Sequence, residues 1–167
     1  MNRFEELNRS HNRAGFDCGE EELNGFLKNL ARQNLKKGLS RTFVLTAKQI
    51  PEEILGFFTL SLFEIKAERL PEKFAKKYRV NIPAVKIARL AVAKGLQNQG
   101  IGRYLMINAI YRTIKISQNA GITGLFVDSK NQKVKKYYQK FGFIPLPDTP
   151  LSLFLPLETL LQMQASI

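Results

Sequence analysis

Apolar positions change their period several times along the chain, and each change marks an element. Phe4 to Leu7 predict a short opening strand. In the segment DCGEEELNGFLKNLARQNLKKG, Leu23, Phe26, Leu27 and Leu30 fall at i, i+3, i+4 and i+7, the stripe of an amphipathic helix. Asp17 and Glu20 precede it with capping-box spacing, so Asp17 is expected to accept from the first-turn amides, and Gly38 is placed to stop the helix. Arg41 to Ala47 (RTFVLTA) and Ile54 to Ile65 (ILGFFTLSLFEI) are β-branched and aromatic runs. A turn at Gln49 to Glu53, carrying Pro51, joins them into a meander.

The second half alternates. Leu70 to Arg79 predict a short basic helix with Pro71 near its start, and Val85 to Val92 (VKIARLAV) a strand. Gly102 to Ala120 fit a helix with Met106, Ala109, Ile110 and Ile114 on one face, ended by Gly121. Ile122 to Asp128 form the next strand, and Asn131 to Phe141 a helix ending at Gly142. Leu151 to Leu155 are a last strand between Pro150 and Pro156, ahead of a short tail helix. No repeat, low-complexity tract or linker interrupts this order, so residues 1–167 read as a single domain. A meander followed by strand–helix–strand–helix–strand predicts a mixed α/β fold in three layers.

Composition narrows the partners. A hydrophobic fraction of 44% and a charged fraction of 24% over 167 residues suit a globular protein with a real core. No apolar run is long enough for a membrane span, the opening MNRFEELNRSHNR lacks the apolar stretch of a signal peptide, and Cys18 is the only cysteine. Together these predict a cytoplasmic protein without a membrane partner. The net charge of +12 calls for an anionic partner. The basic residues gather in three places: Lys28, Arg32, Lys36 and Lys37 along the first helix; Lys73, Lys76, Lys77 and Arg79; and Lys130, Lys133, Lys135, Lys136 and Lys140. Few acids interleave them, which favours RNA phosphates over merely solvated helix faces.

The segment ARLAVAKGLQNQGIGRYLM carries the chemistry. Gln97, Gly100 and Gly102 have the spacing Q-x-x-G-x-G between a β-branched strand and an amphipathic helix. A loop of this kind turns backbone N–H groups toward one point at a helix N-terminus, where the dipole favours an anion and a Cβ would obstruct close approach. The pattern is neither the G-x-G-x-x-G of a dinucleotide site nor a P-loop. It resembles the Q/R-x-x-G-x-G/A segment of the GNAT superfamily of N-acetyltransferases. A second segment of that family is matched by NQKVKKYYQKFGF, with Asn131 seven residues before Tyr138 and then Gly142 and Phe143. The resemblance covers most of the chain and implies a GNAT-like three-layer fold whose central, mostly antiparallel sheet is flanked by helices.

The same resemblance implies acetyl-CoA as cosubstrate, and the lack of a ligand cluster in the sequence predicts no metal. Its pyrophosphate would be held by Gln97, Asn98, Gln99, Gly100, Ile101, Gly102 and Arg103. Its pantetheine arm would lie beside Leu90, Ala91 and Val92, with Asn131 near the arm and Tyr138 near the sulfur. FDCGEEELNGFL, RLAV and YYQKFGF with the proline-flanked last strand are similar to the acetyltransferase toxins of bacterial toxin–antitoxin modules, although that subgroup often has glycine where Asn98 stands. This narrower resemblance implies aminoacyl-tRNA as acceptor, a ribbon–helix–helix antitoxin as partner, and admits a homodimer. Lys28, Arg32, Lys36, Lys73, Lys76, Lys77, Arg79 and Arg89 are the expected RNA contacts.

Acetyl transfer needs a polarised thioester and a proton for the departing thiolate. Tyr138 is the expected acid, since a phenol with a reference pKa near 10 is protonated at neutral pH; Tyr137 is set about 100° away around the helix. Backbone N–H groups at Leu90 to Val92 would serve the oxyanion. No general base stands out, which suits an α-amine, whose reference pKa near 8 leaves a neutral fraction unaided. His11 is expected at the surface and Cys18 in a structural role. Acetylation of protein or small-molecule amines, and a non-catalytic CoA- or RNA-binding module, are the alternatives.

Overall fold

The computed structural model describes residues 2–165. Seven strands, β1 (Asn2–Glu6), β2 (Arg41–Ala47), β3 (Ile50–Lys66), β4 (Asn81–Val92), β5 (Gly124–Asp128), β6 (Ile144–Pro145) and β7 (Ser152–Pro156), form one sheet in the order β1-β2-β3-β4-β5-β7-β6. β4 pairs with β5 in parallel, whereas β1–β2, β2–β3, β5–β7 and β6–β7 are antiparallel. The helices are α1 (Glu21–Asn29), α2 (Ala31–Lys36), α3 (Glu72–Ala75), α4 (Ile101–Ser117), α5 (Gln132–Gln139) and α6 (Leu157–Ala165). No described helix is long and apolar enough to cross a membrane. The mixed α/β sheet with helices matches the expected fold.

The chain forms two compact units, Met1–Ser61 with Ala88–Ala109, and Leu62–Ile87 with Ile110–Ile167. In the first, Phe26, Leu27 and Ala31 pack with Val44, Ile54, Phe57 and Ala91. Phe57 meets Phe16 edge-on, with centroids 5.5 Å apart. The buried Thr42 and Thr59 face each other across β2 and β3, their hydroxyls 2.7 Å apart, so two polar groups inside the sheet satisfy one another. In the second unit, Phe74, Phe126 and Phe154 form an aromatic core with Ile65, Leu70 and Ile82.

The predicted first helix is broken. Leu30 has φ −117° and ψ −31°, so α1 stops at Asn29 and α2 restarts at Ala31. The break rotates the apolar phase: Ala31 is buried, while Leu30, expected in the stripe, is 47% exposed. Asp17 is not the helix cap. Glu20 occupies that position without a side-chain capping bond, and Asp17 instead closes its own turn by accepting from the Gly19 N–H at 2.8 Å. Gly38 does end α2, with φ +72° and the Leu39 N–H reaching back to the Asn34 carbonyl, a Schellman closure.

The expected turn at Gln49 to Glu53 is also corrected. β3 already begins at Ile50, paired with Ala47, and the pairing resumes only at Ile54 opposite Thr46. Pro51 to Glu53 therefore bulge out of the ladder, where a proline removes no needed N–H. His11, expected at the surface, is buried: its Nδ1 accepts from the Asn8 N–H at 3.0 Å and its Nε2 lies 2.9 Å from Glu5. Cys18 is buried, as a structural cysteine should be. The basic helix before β4 shrinks to α3, with Pro71 as its N-terminal flank.

Candidate active site

In the first unit the candidate site is built from main chain. β4 ends at Val92, and the Ala93 N–H bonds the Leu55 carbonyl at 2.9 Å. A 3-10 turn at Lys94–Leu96 follows. Gln97 is extended, Asn98 has φ +63° and Gly100 φ +88°, and α4 begins at Ile101. Left-handed residues among right-handed ones turn successive N–H groups to one side, forming an anion-binding nest. Among the described residues, the backbone N–H groups from Asn98 through Arg103 have no protein partner. The first turn of α4 holds no acid but carries Arg103, so nothing there competes with a bound anion.

Two observations test whether this loop fits a pyrophosphate. A Cβ on Gly100 would meet no protein atom within 4 Å, and one on Gly102 would meet only Val92 Cγ2 at 3.9 Å. The space above both glycines is thus open, as close approach of a phosphate requires. Asn98 stands in the left-handed region that asparagine tolerates better than most residues, which explains how it replaces the glycine common in the toxin subgroup. The loop residues fit the cosubstrate.

Gln97 and Asn131 have local partners that their sequence positions did not reveal. The Gln97 Nε2 donates to the Val92 carbonyl at 3.0 Å and the Cys18 carbonyl at 2.9 Å, holding the loop closed. Gln99 adds a bond to the Gly95 carbonyl at 3.3 Å. Of the strand residues, Ala91 is buried in the core and Leu90 and Val92 are half-buried. Arg89 lays its guanidinium over the Phe26 ring, 3.9 Å from the centroid. It is half-buried, and among the described residues it has no hydrogen-bond or ion-pair partner.

In the second unit the site rests on side chains. β5 runs into the α5 start, where the Asn131 Oδ1 accepts from the Val134 N–H at 2.9 Å; Asn131 is the N-cap. The cap fixes the helix phase and thereby separates the two tyrosines. Tyr138 is 8% exposed, with its ring 5.9 Å from that of Phe143, while Tyr137 is 37% exposed and packs edge-on against Phe141. Burial, and then the neighbouring Tyr137, push the Tyr138 phenol up to about 12. Among the described residues its hydroxyl has no hydrogen-bond partner. A neutral donor with a free hydroxyl is what a departing thiolate needs.

The expected RNA contacts lie on their own elements. Lys28 and Lys36 are exposed and Arg32 half-buried along α1 and α2. Lys73, Lys76, Lys77 and Arg79 are all exposed around α3, with Lys73 and Lys77 each 5.4 Å from the Phe74 ring centroid. Lys77 also reaches Glu158 at 3.8 Å.

Known proteins share this fold. The model of the acetyltransferase (GNAT) domain matches residues 39–145. A probable toxin TacT of Sinorhizobium fredii is 28% identical over 159 residues, covering 90% of this chain and 87% of that protein. A tRNA-acetylating toxin of Mycobacterium tuberculosis is 27% identical over 140 residues, covering 84% and 82%. Among solved structures, AtaT complexed with acetyl-methionyl-tRNAfMet superposes with a TM-score of 0.89 at 32% identity, over 98% of this chain and 99% of that one. AtaTR bound with AcCoA gives 0.83 at 32%, over 98% of each. A tyrosine-to-phenylalanine variant of AtaT bound to the C-terminus of the antitoxin AtaR gives 0.80 at 32%, over 97% of each. With the glycine loop and the tyrosine helix both inside or adjoining the matched segment, and identity above 30% along nearly the whole length, the chain belongs to the GNAT family of acetyltransferases.

Proposed function

We propose that this acetyltransferase moves the acetyl group of acetyl-CoA to the α-amine of aminoacyl-tRNA, and so blocks translation as the toxin of a toxin–antitoxin pair. The observation that carries the cosubstrate is the set of unpartnered N–H groups at Asn98 to Arg103. The acceptor is supported by the relatives, one a tRNA-acetylating toxin and one solved with acetyl-methionyl-tRNAfMet, and by the net charge of +12.

In this reaction a neutral amine attacks the thioester carbonyl carbon, forming the C–N bond and displacing sulfur with the C–S electron pair. Backbone N–H groups at Leu90 to Val92 are assigned to the carbonyl oxygen. Tyr138 donates a hydrogen bond to the sulfur. Its pKa of about 12 lies well above the reference of about 8.5 for a thiol. Full transfer from the phenol alone is therefore uphill, and the proton that ends on sulfur is one the amine gives up, passed through the Tyr138 hydroxyl. Asn131 orients α5, and Arg89 with the lysines of α1, α2 and α3 holds acceptor phosphates.

The chain acts as one catalytic domain in the cytoplasm, without a metal. Its antitoxin is of the ribbon–helix–helix type, and this reading admits a homodimer. The decisive experiment follows label from acetyl-CoA to charged tRNA, uncharged tRNA and a peptide panel. Transfer to charged tRNA alone is expected; robust peptide acetylation with none on any charged tRNA would replace this acceptor by protein amines.

A further inference from the structure

The loop at Gln97 to Gly102 is tied to α1 by side-chain hydrogen bonds. The Gln97 amide bridges the end of β4, at the Val92 carbonyl, to the Cys18 carbonyl in the turn before α1. Three residues before Gln97, the Lys94 N–H bonds the Asp17 carbonyl at 2.8 Å. The same turn is gripped from the other side by Asn24, within α1. The Asn24 Oδ1 accepts from the Cys18 N–H at 2.9 Å, and its Nδ2 donates to the Asp17 Oδ1 at 2.9 Å. Loop, turn and helix thus form one closed hydrogen-bonded network within a single compact unit.

The two amide side chains are not interchangeable with anything of similar size. Gln97 contributes two N–H contacts to carbonyls, so a carboxylate in its place would face two acceptors. Asn24 uses its oxygen on one main-chain donor and its nitrogen on one carboxylate, so both ends are engaged. Asparagine is a poor helix former, and its place inside α1 is explained by this bridging rather than by propensity. α1 also carries Phe26, the platform under Arg89, and Lys28, which with Lys94 borders the open cleft over Asp17 and Asn24. A phosphate-bearing acceptor held at Lys28 and Arg89 would therefore pull on the helix that Asn24 connects to the loop.

We propose that Asn24 and Gln97 are positioning residues that couple the acetyl-CoA loop to α1, so that acetyl-CoA and the charged tRNA each bind more tightly when the other is present. The coupling must be reciprocal, because it is a property of binding free energies. Its acceptor half rests on the function proposed above; its acetyl-CoA half does not.

Calorimetry on the full chain separates the two. Acetyl-CoA affinity is measured with and without saturating uncharged tRNA, for wild type, Asn24→Ala, Asn24→Asp, Gln97→Glu and Gln97→Arg. Wild type should gain about fivefold or more in affinity with tRNA, the lower end of usual coupling. Asn24→Ala and Gln97→Glu should lose roughly tenfold in acetyl-CoA affinity and bring the tRNA effect near one, with melting temperature held to within a few degrees. Asn24→Asp keeps the oxygen for Cys18 but sets a carboxylate against Asp17, and should lose the coupling in the same direction. Gln97→Arg keeps N–H donors and should retain both. Unchanged acetyl-CoA affinity and an unchanged tRNA effect in Asn24→Ala would overturn the proposal, as would tRNA binding to wild type without any gain for acetyl-CoA. If neither charged nor uncharged tRNA binds wild type, the acceptor assignment and the coupling fall together, and the acetyl-CoA arm still decides whether Asn24 positions the loop.

Discussion

In the proposed reaction the loop from Asn98 to Gly102 and the helix α5 would contribute opposite materials. The loop is exposed main chain whose useful groups are N–H donors aimed by two left-handed residues, Asn98 and Gly100. Its side chains matter chiefly by what they leave empty. In α5 the useful group is a single hydroxyl on a buried ring, and what matters is which of two adjacent tyrosines the N-cap turns inward. A backbone site tolerates changes that preserve φ and open space; a side-chain site tolerates none at one atom and many around it.

The largest expected effect is at that atom. Tyr138→Phe should lower turnover by roughly 10²–10⁴-fold, with acetyl-CoA affinity nearly unchanged. Tyr137→Phe should cost only a few-fold. Steady-state kinetics with calorimetry checks both, and a crippled Tyr137→Phe would show that the exposed ring is the one that works.

The loop should respond in the converse way, through binding. Gly102→Asp places an acid at the start of α4, which favours the helix dipole by about 0.3–1 kcal/mol. Melting temperature should hold or rise, yet acetyl-CoA affinity should drop by roughly 100-fold, because the carboxylate takes the anion's place. Loss of stability together with affinity would mean that Gly102 serves the scaffold and not a ligand.

Smaller effects are expected where neither region acts. Replacing Lys73, Lys76, Lys77 and Arg79 together should raise KM for charged tRNA and flatten its dependence on salt, since fewer counterions are released. Acetyl-CoA affinity should be untouched. Kinetics from low to moderate salt would show it.

The smallest effect is a titration. Because burial raises the folded Tyr138 pKa to about 12 from an ordinary value near 10, the neutral phenol favours the fold. That stabilisation is complete below about pH 10 and is lost as pH rises through about 12, a difference of roughly 2–3 kcal/mol. A tyrosinate absorbance titration should show one late phenol that is absent in Tyr138→Phe, and wild type should lose stability relative to that variant over the same window.

Sequence patterning located the sheet and the long helix because their signals are periodic and local. Arg41 to Ala47 is a strand from end to end, and Met106, Ala109, Ile110 and Ile114 are all buried on α4. The glycine loop and the tyrosine helix were readable as spacings. What escaped depends on partners distant in sequence. Leu30 lies in perfect register for the α1 stripe, but the helix break that turns it outward is a tertiary choice. His11 looks polar and exposed until Glu5 and the Asn8 N–H are seen to use both ring nitrogens. β6 is two residues long, too short for any period. Gln97 was readable as part of the motif, yet its bond to Cys18 spans 79 positions, and the FDCGEEELNGFL segment gave Asn24 no role of its own.

The interleaving of the two compact units sets an order of events during synthesis. Their boundaries fall inside β3, β4 and α4, so neither unit is a continuous stretch that could be shed or expressed by truncation. The unit holding the glycine loop has all its residues once the ribosome has passed Ala109, whereas β7, which pairs with β5, arrives only at Ser152–Pro156. A chain cut short after Ala109 would thus hold every residue of the nest and neither Tyr138 nor the strand that pairs with β5.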